Sequence, residues 1–232
     1  MIVPEPTLVT IIVPVFNEAA TVAVVIRRLL EVALPAAREI LVVNDGSTDD
    51  TRAVLDALPA HPSVRVIHAA VNGGKGRAIR LGLAEARGTV TAIQDADLEL
   101  DPAQLADLVE PVLRGEARVV YGSRFLQPTS TAPWLTVAAN RTLTAVTNLL
   151  YGSRITDMET CYKVMDTAVA RGLGLESNHF DIEPEITAKL LRQGHTIVER
   201  PVRFEPRSRA QGKKIGWRDG VRALQVLVKY RW

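Results

Sequence analysis

Asp95-Ala-Asp97 is the sharpest chemical signal in the 232-residue sequence. Two carboxylates lie two residues apart just past a short apolar run, Val90 to Ile93, and Glu99 follows them. Like charges gathered this closely are costly unless a cation neutralises them, and oxygen-only ligands select a hard ion such as Mg2+ or Mn2+. The same residues also suit a solvated acidic turn in which an aspartate caps the next helix. Their place at the end of a strand favours the metal.

Three further clusters are candidates. Asn44-Asp-Gly-Ser-Thr-Asp49 is built from the residues that dominate turns, and a capped turn explains it without any ligand. Asn72-Gly-Gly-Lys-Gly76 looks like a phosphate-cradling loop in which Lys75 reaches a nucleotide. It does not match G-x-x-x-x-G-K-[ST], and no G-x-G-x-x-G follows the first strand, which disfavours a P-loop nucleotidase and a Rossmann dehydrogenase. Arg200, Arg203, Arg207, Arg209, Lys213 and Lys214 gather late in the chain. Such a run is usually a solvated loop; beside a metal and a diphosphate it would stabilise a departing anion. Arg124 ends a strand. Arg141 interrupts an apolar helix and so calls for a partner, either an acidic side chain or an anionic substrate. His61, His68, His179 and His195 show no ligand spacing, and the single cysteine, Cys161, reads as a structural thiol.

The elements that must position these residues alternate through the first half. Strands are expected at Val9–Val13, Ile40–Val43, Val64–Ile67, Val90–Ile93 and Ala117–Tyr121, with near-continuous apolar patterns typical of strands buried on both faces. Helices fall between them: one capped by Asn17, one ending near Leu58, one ending near Gly88, and one with Pro102 in its first turn. This rhythm predicts an α/β fold, a mostly parallel twisted sheet sandwiched by helices, with functional loops at the carboxyl ends of the strands. The second half is less regular. Helices are expected from Leu135 to Leu150, from Pro184 to near Gly194 and from Trp217 to Tyr230, and a strand from Thr196 to Phe204. In the last helix Trp217, Val221, Leu224 and Val228 share a face that would pack on the core or lie on an anionic lipid surface.

Length and composition set the outer bounds. At 47% hydrophobic and 23% charged residues the chain is globular and long enough for a sizeable core in one domain. A net charge of +2 gives no reason to expect nucleic acid. One cysteine excludes an internal disulfide framework, and a reducing cytoplasm is the simplest compartment. Met1 to Thr10 does not read as a signal peptide, and Asn140 and Arg141 argue against a membrane span at Trp134–Tyr151.

Taken in order, Ile11-Ile-Val-Pro-Val-Phe-Asn-Glu18, Val43-Asn-Asp-Gly-Ser-Thr-Asp-Asp-Thr51, Asn72-Gly-Gly-Lys-Gly-Arg-Ala78 and Gln94-Asp-Ala-Asp97 resemble family 2 glycosyltransferases of the GT-A fold. The resemblance continues through Tyr121-Gly-Ser-Arg-Phe125, Asp157-Met-Glu-Thr-Cys-Tyr-Lys163, Phe180-Asp-Ile-Glu-Pro-Glu185 and Gly212-Lys-Lys-Ile215. Within the family it is most similar to dolichyl-phosphate mannose and polyprenyl-phosphate glucose synthases. It implies one GT-A domain over 1–232, with a nucleotide-sugar half, 1–123, and an acceptor half, 124–232.

The resemblance also implies roles. Pro14, Phe16 and Glu18 would contact the nucleoside, with Asp45 on the base and Lys75 nearby. Asp95 and Asp97 would hold Mg2+ or Mn2+ against the diphosphate, and Glu99, where relatives often have glutamine, would be a further ligand. Arg124 and Arg141 would hold the acceptor phosphate, and the stretch containing Arg207, Arg209, Lys213 and Lys214 would close over the diphosphate. The implied reaction is inverting transfer of a hexose from GDP-mannose or UDP-glucose to a polyprenyl phosphate. Asp157 would be the catalytic base if the acceptor were a hydroxyl. The alternatives are a family 2 enzyme with a soluble or glycan hydroxyl acceptor, and a non-catalytic nucleotide-binding module. Membrane contact would be peripheral, on the cytoplasmic face, or made through a membrane partner.

Overall fold

The computed structural model describes residues 7–127, 133–207 and 217–232. Strands β1 (Leu8–Val15), β2 (Ala37–Asn44), β3 (Val64–His68), β4 (Val90–Ile93), β5 (Val119–Ser123), β6 (Lys163–Asp166) and β7 (Val198–Pro201) form one sheet. Their order is β3-β2-β1-β4-β6-β5-β7. Every neighbouring pair is parallel except the two made by β6, which runs antiparallel between β4 and β5.

The strand pattern explains the layers. Alternate side chains of a strand point to opposite faces, so an unbroken apolar run needs cover on both. Val9, Ile11, Val13 and Val15 pack with Val22, Val25, Ile26 and Leu29 of α1 (Val22–Glu31), Leu55 of α2 (Thr51–Asp56) and Leu105, Leu108 and Val109 of α4 (Leu105–Leu113). On the other face Ile12, Leu41 and Val43 meet Ala78 and Ile79 of α3 (Lys75–Glu85), Val169 of α6 (Thr167–Gly172) and Ile182 and Ile186 of α7 (Ile182–Arg192). A third cluster joins α5 (Trp134–Tyr151), α7 and α8 (Trp217–Lys229) through Leu143, Ala188, Ala223, Leu227 and Tyr230.

Three expectations need correction. Asn17 does not cap α1, which starts at Val22 after Thr21. It adopts a left-handed backbone (φ 54°), and its amide oxygen accepts from the Thr48 N–H at 2.8 Å. The stripe Val221, Leu224 and Val228 faces outward, while Ala223, Leu227 and Tyr230 face inward, because a small residue at 223 lets α8 close on α5 and α7. Strand β6 and helix α6 were not anticipated: four residues beginning with lysine and ending with aspartate show no strand periodicity. Because β6 is antiparallel, its first residue, Lys163, lies at the sheet edge where the parallel strands end. Pro102 opens a short 3-10 turn that leads into α4 and is capped by Asp101. Among the described residues, no helix is long and apolar enough to cross a membrane.

Candidate functional site

The loops leaving β1, β2, β4 and β5 and the loop entering β6 surround one cavity of about 440 Å3. Its wall includes Pro14, Phe16, Glu18, Asp45, Lys75, Asp95, Asp97, Glu99, Arg124 and Arg207. Arg141 and Asp157 are not in the wall. Arg209, Lys213 and Lys214 lie outside the described residues.

The hairpin-like turn after β4 aims the acidic residues. Leu98 takes a left-handed backbone (φ 64°), a conformation that β-carbon sterics disfavour, and the Glu99 N–H donates to Asp97 at 3.1 Å. The turn is braced from below: Tyr162 donates to the Gln94 side chain at 2.7 Å and to the Asp101 carbonyl at 2.8 Å. Burial, with Asp95 and Glu99 alongside, pushes the Asp97 carboxyl up to about 7, and Arg207 only partly opposes this. Arg207 forks onto Glu18 at 2.9 and 3.1 Å and reaches Asp97 at 3.2 Å. Glu99 accepts from the Arg207 backbone N–H at 2.7 Å. Among the described residues no three His, Cys, Asp or Glu side chains are arranged around a common ion position. Asp95 and Asp97, facing Lys75 and Arg207, are the pair whose oxygens could hold a hard divalent ion, while Glu99 holds the Arg207 loop.

Lys75 lines the cavity and is held there by two carboxylates. Its ammonium sits 2.8 Å from Asp95 and 2.9 Å from Glu183. Burial works against that charge, yet the two carboxylates hold it well above the usual lysine range. Glu183, at the start of α7, also pairs with Lys163, which is fully buried and donates to the Met158 carbonyl at 3.2 Å. Burial would raise the Glu183 carboxyl, but Lys163 and Lys75 lower it, so it stays ionised.

Asp45 is used by its own protein. Its carboxylate accepts from the Gly73 N–H at 2.9 Å and the Gly74 N–H at 2.6 Å, which folds the 72–74 loop over the end of β2. Gly46 and Gly74 make this possible: both have positive φ, and a Cβ at either would meet backbone at 2.5 and 2.3 Å. The following residues tie this loop to the end of β1. Asn17 N–H donates to Ser47 at 3.0 Å and Glu18 N–H to Thr51 at 2.9 Å. The 44–49 cluster is thus a structural turn that locks two strand ends together.

At the end of β5, Arg124 forks onto Asp157 with 2.7 Å contacts from Nε and Nη2, and its backbone N–H adds a third at 3.0 Å. Asp157 is fully buried. Burial opposes the arginine charge, but Asp157 more than compensates and holds the guanidinium above its ordinary range. Both oxygens of Asp157 are committed, so it is a positioning residue for Arg124 and does not fit the role of a base. Arg124 also lies over the Phe125 and Phe204 rings, 5.7 and 5.1 Å from their centroids. Arg141, exposed on α5, stacks on the other partner, Phe125, at 5.6 Å. Its partner is an aromatic face, and it stands at the rim.

Sequence reasoning gave no site role to Glu159, His179, Phe180, Glu183 or Phe204, and took Cys161 as structural, yet all six line the cavity. The available signal was charge amid bulk: Glu159 and Lys163 flank Cys161 and Tyr162 in the segment that begins at Asp157. Burial pushes the Cys161 thiol well up, so it stays protonated.

The glycosyl transferase family 2 model matches residues 10–174. The chain belongs to that family. It is 30% identical over 234 residues to an undecaprenyl-phosphate mannosyltransferase of Micrococcus luteus, covering 95% of this chain and 92% of that one. It is 30% identical over 217 residues to a polyprenol monophosphomannose synthase of Mycolicibacterium smegmatis, covering 89% and 80%. Glycosyltransferase AglD of Haloferax volcanii is also 30% identical, over 207 residues; the chain spans 86% of its own length there and only 33% of AglD. Among solved structures, glucosyl-3-phosphoglycerate synthase of Mycobacterium tuberculosis, in complex with Mn2+, UDP and phosphoglyceric acid, superposes with a TM-score of 0.75 at 19% identity. The superposition covers 98% of this chain and 79% of that one, and it carries the fold alone. This family 2 chain is a glycosyltransferase with the GT-A fold.

Proposed function

We propose that this family 2 enzyme transfers a hexose from a nucleotide-diphosphate sugar, GDP-mannose or UDP-glucose, to a polyprenyl phosphate, with inversion at the anomeric carbon. The observation that carries the reading is a single cavity lined both by the Asp95–Asp97 pair and by Arg124, whose counter-ion leaves no free oxygen. A phosphate monoester is already ionised near neutral pH, its second pKa being about 6, so its oxygen attacks without a base. It needs cations to hold it, and Arg124 is braced for that.

Asp95 and Asp97 would hold Mg2+ or Mn2+, which supplies charge neutralisation to the leaving diphosphate. Arg207 adds to it. Its Nε is buried and has no hydrogen-bond partner among the described residues, so one N–H is left for an anionic oxygen. In the transfer, a phosphate oxygen of the lipid bonds to the anomeric carbon as the bond from that carbon to the diphosphate breaks. The nucleoside diphosphate leaves with the electron pair. Pro14, Phe16 and Glu18, clustered at the end of β1, are assigned to the nucleoside, with Asp45 shaping the loop beside them rather than standing free. Contact with the lipid would be peripheral or through a membrane partner.

One observation favours a second reading, a hydroxyl acceptor. Glu159 lines the cavity with a carboxyl that burial pushes up to about 7, suited to removing a proton. The deciding experiment incubates the protein with Mn2+, radiolabelled GDP-mannose or UDP-glucose, and undecaprenyl phosphate. Label is expected in the organic phase, dependent on the lipid. Label that enters only water-soluble glycosides would overturn the lipid-phosphate reading.

A further inference from the structure

Glu159 is the acidic group in the cavity wall for which no hydrogen bond or ion pair is found among the described residues; Lys163 and Arg124 act on it only through their charge. Asp45 holds two backbone N–H groups, Asp97 and Glu18 face Arg207, Asp95 faces Lys75, and Glu183 faces two lysines. Glu159 Oε1 is buried and has no hydrogen-bond partner among the described residues. A buried carboxyl oxygen left without a donor costs on the order of 1–3 kcal/mol, more if charged. Such a group persists where a ligand completes it.

The ligands of the proposed reaction narrow the donor. Phosphate and diphosphate oxygens only accept when ionised, so they cannot satisfy a carboxylate. The nucleoside is assigned to the far loops of β1 and β2. The remaining part is the hexose, whose hydroxyls donate, and it must lie between the diphosphate and the attacking phosphate. Glu159 belongs to the loop that joins the two ends. Asp157, two residues before it, clamps Arg124, and Cys161, two residues after it, reaches the electrostatic field of Asp95 and Lys75.

We infer that Glu159 is a sugar-selecting residue, its carboxylate accepting a hydrogen bond from a hydroxyl of the transferred hexose. This rests on the donor being a nucleotide-diphosphate sugar and adds which residue reads the sugar. The inference sets Glu159 apart from the other acids: it recognises the glycosyl group and contributes nothing to the nucleoside diphosphate. The raised carboxyl is consistent with the geometry, since a donated hydroxyl hydrogen bond would draw it back toward the ionised form.

The test compares binding of GDP with GDP-mannose, and of UDP with UDP-glucose, in Mn2+ by calorimetry, for the wild type, Glu159→Gln and Glu159→Ala. In the wild type the sugar should add affinity for one of the pairs. In Glu159→Ala that increment should fall about tenfold or more, the share of a hydrogen bond to a charged group. Glu159→Gln should lose less, and nucleoside diphosphate affinity should stay within about twofold in both. Removing an unsatisfied buried carboxyl should also leave the melting temperature of Glu159→Gln equal to or above the wild type, whereas loss of a structural group would lower it. Equal losses for diphosphate and sugar nucleotide, or no loss for either, overturn the inference. So does unchanged sugar-nucleotide binding with transfer to a hydroxyl acceptor abolished in Glu159→Gln, which would make the residue a base. A wild type that binds the diphosphates but gains nothing from the sugar removes the inference and leaves the nucleotide site standing. A wild type that binds none of the four removes the proposed function and the inference with it.

Discussion

Two groups of carboxylates, in and behind the wall of one cavity, are handled in different ways. Asp157 and Glu183 each have a base: Arg124 forks onto one, and Lys75 and Lys163 grip the other. Asp95, Asp97 and Glu99 come from one turn without surrounding a common ion position, and the cations near them, Lys75 and Arg207, are shared with Glu183 and Glu18. Breaking a buried ion pair strands a charge, while removing one of several like charges relieves repulsion. The first group therefore reads as scaffold, and the second is the one proposed to take a cation.

The comparison breaks most visibly at Asp97. Replacement by alanine should lower transfer on the order of a hundredfold to a thousandfold, the scale for losing a group that stabilises developing charge. The metal-free melting temperature should hold or rise. Near-normal turnover would falsify the assignment of Asp97 to the metal.

Asp157→Asn should do the reverse and cost stability first. Urea unfolding should show a loss of about 3–5 kcal/mol, the usual result of breaking a buried pair. A variant as stable as the wild type would erase the contrast between the two groups. Glu183→Gln should follow Asp157→Asn, and its sign with pH can be read too. Its carboxyl is lowered in the folded protein, so the stability it gives is present above the ordinary glutamate range and is lost as pH falls through its depressed value.

A pH series sharpens the comparison further. The Asp97 carboxyl is raised to about 7, so its contribution is present at low pH and is lost as pH climbs from its unfolded value through 7. Metal-free wild type should lose stability from pH 5 to 8 more steeply than Asp97→Asn. Mn2+ binding should weaken as pH drops from 8 to 6, because protons compete for the same oxygens. Parallel curves for the two proteins would remove Asp97 as the source.

The smallest effect is expected at the rim. Arg141→Ala removes an exposed cation–ring contact, worth about 0.5–1 kcal/mol, and should raise the KM for polyprenyl phosphate by a few-fold with the donor KM unchanged. Equal change in both constants would take Arg141 away from the acceptor.

The first half of the chain was largely legible because its information is local. Each strand from β1 to β5 is a compact apolar run stopped by polar residues, and parallel strands with helical crossovers put all their carboxyl ends at one edge. That placed Pro14 to Glu18, Asp45, Asp95 to Asp97 and Arg124 together before any coordinates. What these residues touch was not legible. Lys75, expected near a nucleotide, is gripped by Asp95 and Glu183, and Asp157, expected as a base only for a hydroxyl acceptor, is the counter-ion of Arg124.

The amino-acid order alone determined the layered α/β architecture and the family, since periodicity of burial and short motifs at strand ends are properties of neighbouring residues. Only the tertiary structure decided how the second half joins the first. Strand β6 is four residues with a lysine at its head, and its antiparallel insertion between β4 and β5 is fixed by partners distant in sequence. That insertion carries Asp157, Glu159 and Lys163 to the sheet edge, where charge pairing, a long-range effect, decides which acids find a base within the fold.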